Sequence, residues 1–295
     1  MTGYRARTGR QPAHAGSFYP ADGRRLGELV DGLLADAEPR LPPIPPSTIV
    51  GAITPHAGLV YSGPVAAMAW AAIATADPTT ILLVGADHGG RAAGAAVWTD
   101  GPWRGPFGDI SIDHGLADRI VALGPPFAAD DSAHDDEHSI EVQLPFVARA
   151  CPGARIAPVL IGGRSRDVAE TAGVWLGRLV AGLRSGGERA VLVASSDLAH
   201  YPPAALAREI DELVLRPILR LDERDLQRVE DGIRASGTPE VACGVCGLEA
   251  IRCVLAAAEE AGATHGVLLD EATSADVPGA DPGRTVGYAA GALVA

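Results

Sequence analysis

Length, composition and charge already exclude several classes of protein. The chain has 295 residues, of which 47% are hydrophobic and 21% are charged, so a sizeable core can form and disorder is excluded as the main state. All 24 basic residues are arginine, and the formal net charge is -13. Schiff-base catalysis, pyridoxal phosphate attachment and a P-loop all require lysine and are excluded. The acidic balance argues against nucleic acid or an anionic membrane as the partner.

The sequence also predicts the cellular location of the protein. No apolar stretch approaches the roughly 18 residues of a membrane span, and no apolar segment follows the arginine-bearing start, Met1 to Pro12. Four cysteines, Cys151, Cys243, Cys246 and Cys253, are too few for a disulfide scaffold. We therefore expect a cytoplasmic protein without a signal peptide or membrane span.

Short apolar runs alternate with helical patterns along the chain. We predict a first helix at Asp22 to Ala37, which a proline-rich segment, Pro39 to Pro46, ends. Three strand–helix pairs are predicted at Thr48 to Thr54 with Ser62 to Ala76, Arg155 to Ile161 with Asp167 to Leu183, and Ala190 to Ala194 with Pro203 to Arg220. Further strands are predicted at Thr80 to Ala86, Ala95 to Trp98, Gly266 to Leu269 and Val286 to Val294. This alternation predicts an α/β fold, a single domain over residues 1–295 with a largely parallel central sheet flanked by helices.

Polar side chains follow three of the predicted strands. His56 comes after the first, Asp87 and His88 after the second, and Asp197 with His200 after the strand at 190–194. A single histidine at such a place is explained by a turn or a cap. Since ligands bind beyond the carboxyl ends of parallel strands, three such ends together favour a functional cluster.

An acidic segment, Asp135 to Glu141, lies between the second and third strand–helix units. Its acids suit the N-terminus of a helix, where carboxylates stabilise the positive end of the dipole. That interpretation does not account for His138. A histidine in the first helical turn is placed to donate a proton or hold a substrate oxygen.

The pair Cys243 and Cys246 forms a CxxC pattern, which is typical of a redox dithiol or half of a zinc site. No second CxxC is present, and Cys253, seven residues after Cys246, suggests ordinary buried thiols on one helix face. The remaining interpretation is that the thiolate of Cys243 joins two imidazoles on a metal. Two histidines and one cysteine leave an open coordination position, as catalytic zinc, copper or iron sites require.

Together these motifs resemble the MEMO family, called AmmeMemoRadiSam system protein B in bacteria. The matching stretches follow one another over nearly the whole chain: HAGSFYP (His14 to Pro20), PHAGLVYSG (Pro55 to Gly63), VGADH (Val84 to His88), PFGDISID (Pro106 to Asp113), DEHSIEVQLPF (Asp136 to Phe146), SSDLAHY (Ser195 to Tyr201), ACG (Ala242 to Gly244) and VGYAAGAL (Val286 to Leu293). A series in this order is far more specific than any one motif.

The resemblance implies a fold similar to class III extradiol dioxygenases, non-haem iron enzymes that cleave catechol rings. It also implies a metal site of two histidines and one cysteine, which falls on His56, His88 and Cys243. Iron and copper are the metals associated with the family.

Further roles follow from the same resemblance. In the related dioxygenases another histidine acts as acid or base, and here His138 or His200 would do so. Tyr61 and Asp197 would support the site from behind the ligands.

This chain departs from the family pattern in two places. Asp87-His88-Gly89 stands where many members have Ser-His-His, so a carboxylate replaces a hydroxyl beside the ligand and the second imidazole is missing. Cys246 is an additional thiol, placed where it could form a redox pair with Cys243.

We therefore expect a metal-dependent oxidoreductase: a mononuclear Fe(II) or copper oxygenase or oxidase that acts on a small molecule and uses O2. One alternative is a scaffold protein that keeps the fold without turnover, as eukaryotic relatives that bind phosphotyrosine peptides suggest; the shortage of a basic patch speaks against phosphate recognition here. Another is a zinc hydrolase with His138 or Asp197 as base. The sequence leaves the substrate and the oligomeric state open.

Overall fold

The computed structural model describes residues 9–162 and 166–295, and an eight-stranded sheet runs through its centre. The strands are β1 Ile49–Thr54, β2 Thr80–Ala86, β3 Ala95–Val97, β4 Trp103–Gly105, β5 Gly108–Ile110, β6 Phe127–Ala129, β7 Arg155–Ile161, β8 Ala190–Ser195, β9 His265–Thr273 and β10 Gly287–Val294. Their order in the large sheet is β6-β3-β7-β2-β8-β1-β10-β9, and β4 pairs with β5 in a separate hairpin.

Helices cover both faces of this sheet. They are α1 Gly23–Ala37, α2 Leu59–Thr75, α3 His114–Ala122, α4 Leu144–Ala150, α5 Arg166–Ser185, α6 Ala204–Leu219, α7 Glu223–Ala235 and α8 Leu248–Glu260. Among the described residues, no helix combines the length and the apolar character that crossing a membrane requires.

The four central strands, β7, β2, β8 and β1, are parallel and almost wholly buried. Alternate residues of each strand point to opposite faces, so both faces need apolar side chains. In β8, Leu192 packs in the cluster that includes α5 and α8, whereas Val191 and Val193 pack in the cluster that includes α1, α2 and α4. This double burial explains why the strands are continuous apolar runs in the sequence.

The predicted fold class is confirmed: the chain is an α/β domain whose mixed sheet is mostly parallel and is flanked by helices. Residues 1–8 and 163–165 of the predicted domain, 1–295, lie outside the described residues. Strands β2 and β7 have the predicted bounds, and α2 begins at Leu59 rather than Ser62.

Two helix assignments are wrong. The acidic segment does not begin an α-helix: only its last residue starts a short 3-10 helix, Glu141–Gln143, and α4 follows at Leu144, with Pro145 in its first turn where a missing N–H costs nothing. His138 therefore lies in the preceding loop. Cys246 likewise lies before α8, which starts at Leu248, so it does not share a helix face with the fully buried Cys253.

An N-terminal strap, residues 9–19, is held against the loop before α4 by the buried carboxylate of Glu141. This carboxylate accepts hydrogen bonds from Arg10 Nη1 (2.5 Å), the Tyr19 hydroxyl (2.6 Å), and the backbone N–H groups of Ala13 (3.0 Å) and His14 (2.8 Å). Because these four hydrogen bonds satisfy the two oxygens of the carboxylate, its burial is tolerated. The strap thereby forms one wall beside His138.

Candidate metal centre

The carboxyl ends of three adjacent strands bring the predicted site together. In the sheet β8 lies between β2 and β1, and all three run in the same direction. His56 follows β1 by two residues, His88 follows β2 by two, and Asp197 follows β8 by two. The rings of His56 and His88 are 5.1 Å apart between centroids.

Three histidines form a group able to hold a metal ion. One ligand nitrogen from each of His56, His88 and His138 lies within 4.8 Å of the other two. The His138 ring stacks on His88 at 4.4 Å between centroids, with 20° between the ring planes. Gly85 makes this approach feasible, since a Cβ there would lie 2.5 Å from the Ser139 hydroxyl. The loop bearing His138 therefore rests directly on the end of β2.

Glu137 fixes the orientation of His88. Its carboxylate, which is buried, accepts hydrogen bonds from the backbone N–H of His88 (2.7 Å), from His88 Nδ1 (2.9 Å) and from the Ser139 N–H (2.8 Å). Burial raises the pKa of Glu137, but the bond and charge of His88 outweigh it and lower the pKa to about 2. Because an ionised carboxylate only accepts, Nδ1 carries a proton, and the neutral form of His88 presents the lone pair of Nε2 to the site.

Ser195 fixes His56 in the same way. The Ser195 hydroxyl donates to the Ser139 carbonyl (2.5 Å), so its oxygen must accept from the groups on its other sides. Those groups are Gln143 Nε2 (2.8 Å) and His56 Nδ1 (3.3 Å). The Gln143 amide is itself oriented, because its oxygen accepts from the indole N–H of Trp70 (2.8 Å). His56 therefore also directs Nε2 into the site.

Burial keeps two of the three imidazoles neutral. It is the largest cause of the lowered pKa of His56, and it combines with the charge of His56 to lower the pKa of His138 to about 3. Burial also lowers the pKa of His88, but the hydrogen bond and charge of Glu137 reverse the effect and raise it. Neutral imidazoles are the form that binds metals.

Asp197 and His200 lie at the end of β8. Asp197 Oδ1 accepts from the backbone N–H groups of His56 (2.7 Å) and Ala57 (3.1 Å), which pins the loop after β1. Its Oδ2 lies 3.8 Å from His200 Nε2, beyond hydrogen-bond distance. His200 Nε2 is buried and has no hydrogen-bond partner in the described residues, so it is available to a ligand.

The two cysteines of the CxxC pattern occupy different places. The carbonyl of Cys243 accepts from the His200 N–H (3.0 Å), and the isolated bridge between these residues lies beside the site. The Sγ atom of Cys246, by contrast, lies 3.0 Å from His88 Nε2 and 3.7 Å from His56 Nε2. The assignment of Cys243 as a ligand stays a prediction, and Cys246 is the thiol that contacts the two imidazoles.

Tyr61 and Asp87 lie on the segments that follow β1 and β2. Tyr61 is in the first turn of α2, is 42% exposed, and is close enough to Tyr288 that its charge contributes to the raised pKa of that phenol, whose main cause is burial. The Asp87 carboxylate accepts from the backbone N–H groups of Arg91 (3.1 Å) and Ala92 (2.7 Å). Its hydrogen bonds thus cap the loop after β2.

A cavity of about 660 Å³ opens beside the centre. His88 and Cys246 contribute to its wall, together with Asp87, Gln227, Asp231 and Leu248. This volume is in the range of small-molecule sites.

The donor set fits a transition metal. Imidazole nitrogens suit zinc, copper, iron and nickel, and the Glu137 and Ser195 contacts hold two of the rings in the tautomer that ligation needs. Sequence reasoning missed both supporting residues. Glu137 stands next to His138 in an acidic run and could have been noted, but nothing in the local sequence pairs Ser195 with His56.

Comparison with known proteins agrees with this geometry. A model of the family described as Memo-like protein matches residues 10–292. A MEMO1 family protein of Caldivirga maquilingensis is 36% identical over 290 residues, which cover 95% of this chain and 97% of the relative. MEMO1 family proteins of Methanosarcina barkeri and Methanosarcina acetivorans are 37% and 38% identical, again over 95% of this chain and 98% and 97% of theirs. Because these matches span nearly the whole sequence, the chain belongs to the MEMO family.

Proposed function

We propose that this protein is a mononuclear metal-dependent redox enzyme, an oxygenase or oxidase that uses iron or copper. The observation that carries the proposal is the group of His56, His88 and His138, whose ligand nitrogens lie within 4.8 Å of one another. A redox-active metal held there would supply the electron transfer that O2 chemistry requires. Cys243 remains the thiolate ligand predicted from the family resemblance.

The surrounding residues support a reaction on a small molecule. The cavity of about 660 Å³ adjoins His88 and gives such a substrate a place beside the ligands. Among the described residues, His200 Nε2 is buried and has no hydrogen-bond partner, and it lies 3.8 Å from Asp197 Oδ2. His200 is therefore the residue we expect to move a proton, with Asp197 positioning it.

The expected partners follow from charge and exposure. With a net charge of -13, the protein is suited to a neutral or cationic small molecule rather than to nucleic acid or an anionic membrane. We expect it to work in the cytoplasm.

The test is anaerobic reconstitution with Fe(II) or Cu(I), followed by metal quantification and measurement of O2 consumption. We expect about one metal per chain, with O2 uptake, and loss of both in His56→Ala because the ligand set is broken. Asp136→Asn is the matched control, since Asp136 is exposed and its ion pair with Arg91 lies on the surface.

Two results would refute the redox proposal. Metal content that stays below stoichiometric and is unchanged by His56→Ala would exclude the histidine group as a metal site. Tight zinc binding without O2 uptake would instead favour a hydrolase or a scaffold, since zinc has no redox chemistry with which to activate O2.

A further inference from the structure

Two sulfur atoms lie near the proposed centre, and their surroundings differ. The Cys246 thiol is 3.0 Å from His88 Nε2 and 3.7 Å from His56 Nε2. In the neutral rings, both nitrogens carry the lone pair, because Glu137 and Ser195 engage the Nδ1 atoms. One sulfur thus lies within 3.7 Å of two imidazole nitrogens, which is the donor combination of a mixed sulfur and nitrogen metal site.

We propose that Cys246 supplies the thiolate ligand of the metal that His56 and His88 hold. As the metal–sulfur bond forms, the S–H bond breaks and its proton leaves to solvent, so no oxidant or reductant is needed. This inference rests on the metal centre of the proposed function. It departs from the assignment of Cys243, which came from the family resemblance.

The loop before α8 is built to hold Cys246 in place. Its N–H donates to the carbonyl of Asp197 (3.1 Å), and the next residue, Gly247, donates to the Ser196 hydroxyl (2.8 Å). A Cβ on Gly247 would lie 3.0 Å from Ser196, so glycine permits the close approach. On the other side, Val245 is fully buried. The thiol is therefore fixed between two anchored residues rather than carried on a loose loop.

Cys243 faces a different environment. Glu230, which is 1% exposed, accepts hydrogen bonds from the Gly244 N–H (2.8 Å) and the Val245 N–H (3.2 Å) and pairs with Arg234. Among the described residues, no hydrogen bond joins the Cys243 sulfur to the imidazole of His56 or His88, whereas the Cys246 sulfur contacts both rings.

The experiment is titration of the metal-free full chain with Co(II), whose bond to a thiolate gives a strong charge-transfer absorption in the near ultraviolet. We expect this absorption in the wild type and in Cys243→Ser, and its loss in Cys246→Ser with cobalt affinity at least tenfold weaker, since even an outer partner of a ligand contributes about 10- to 100-fold. Cys151→Ser is a further control, because Cys151 is buried at the end of α4.

A second measurement uses only the wild type and therefore tests the inference even if Cys246→Ser fails to fold. In the wild type, bound Zn(II) is expected to protect Cys246, but not Cys243, from alkylation by iodoacetamide, as mapped by peptide mass spectrometry. The inference is overturned if the cobalt absorption persists in Cys246→Ser, if it disappears in Cys243→Ser, or if zinc leaves Cys246 reactive. Absence of cobalt binding by the wild type would refute the metal centre itself, and is distinguishable because no spectrum develops at all.

Discussion

Replacing Glu137 by glutamine is expected to weaken metal binding 10- to 100-fold without unfolding the protein. The carboxylate accepts three N–H groups, two from His88 and one from Ser139, at 2.7–2.9 Å. An amide of the same shape keeps one oxygen, so whichever way it turns, at least one of these donors faces an NH2 group. His88 Nδ1 then loses either the acceptor oxygen itself or, in the other orientation of the amide, the negative charge that holds its proton.

The magnitude follows from two terms. Outer partners of ligating histidines contribute about 10- to 100-fold to metal affinity, or about 1.4 to 2.7 kcal/mol. One buried donor left unpaired costs a further 1 to 3 kcal/mol or so in the free energy of unfolding of the metal-free protein. Both effects are local, so the secondary structure should be retained.

The assay is competition with a chelator for Co(II) or Zn(II), together with urea unfolding of the metal-free protein. Asp136→Asn is the matched control: the residue is adjacent, its side chain is 72% exposed, and its ion pair with Arg91 is screened by solvent. A dissociation constant for Glu137→Gln within twofold of wild type would refute the argument that this carboxylate orients His88.

Three further changes have expected outcomes. Burial raises the pKa of Asp211 from 3.8 to about 7, so the folded state retains a proton that the unfolded state loses, and the free energy of unfolding falls as pH rises between these values. Asp211→Asn should therefore be up to about 4 kcal/mol more stable than wild type at pH 8, but little more stable at pH 4. A difference in urea unfolding that does not change with pH would contradict this. Gln143→Leu should cost about 3 kcal/mol or more in urea unfolding, because the Trp70 N–H, among other buried groups, loses its partner; an unchanged midpoint would refute it. Gly85→Ala should cost about 1–3 kcal/mol, because its Cβ would lie 2.5 Å from the Ser139 hydroxyl, and an unchanged melting temperature would show that the loop yields freely.

The fold and the location of the centre were predictable from the sequence because they depend on local patterns. Parallel strands buried on both faces are continuous apolar runs, and the residues directly after them must lie at one edge of the sheet. His56, His88 and Asp197 were found on this basis.

The supporting contacts were not predictable, because they join distant parts of the chain. Glu137 is 49 residues from His88, and Gln143 is 52 residues from Ser195, so no spacing rule relates them. Cys246 was misplaced for a different reason. Its seven-residue interval to Cys253 fits a helix face, but α8 begins only after Gly247, where the backbone approaches Ser196.

The strap at residues 9–19 has a consequence for the order of folding. Glu141 receives donors that lie 122 to 131 residues earlier in the chain, and Cys246 lies 190 residues after His56. Contacts of such separation close late, because the entropy of the intervening loops must be overcome first. The proposed ligands are therefore brought together only when the loop before α8 has docked on the end of the sheet. A metal that binds this set recognises the native state alone, and should slow unfolding and raise the melting temperature in proportion to the logarithm of its concentration.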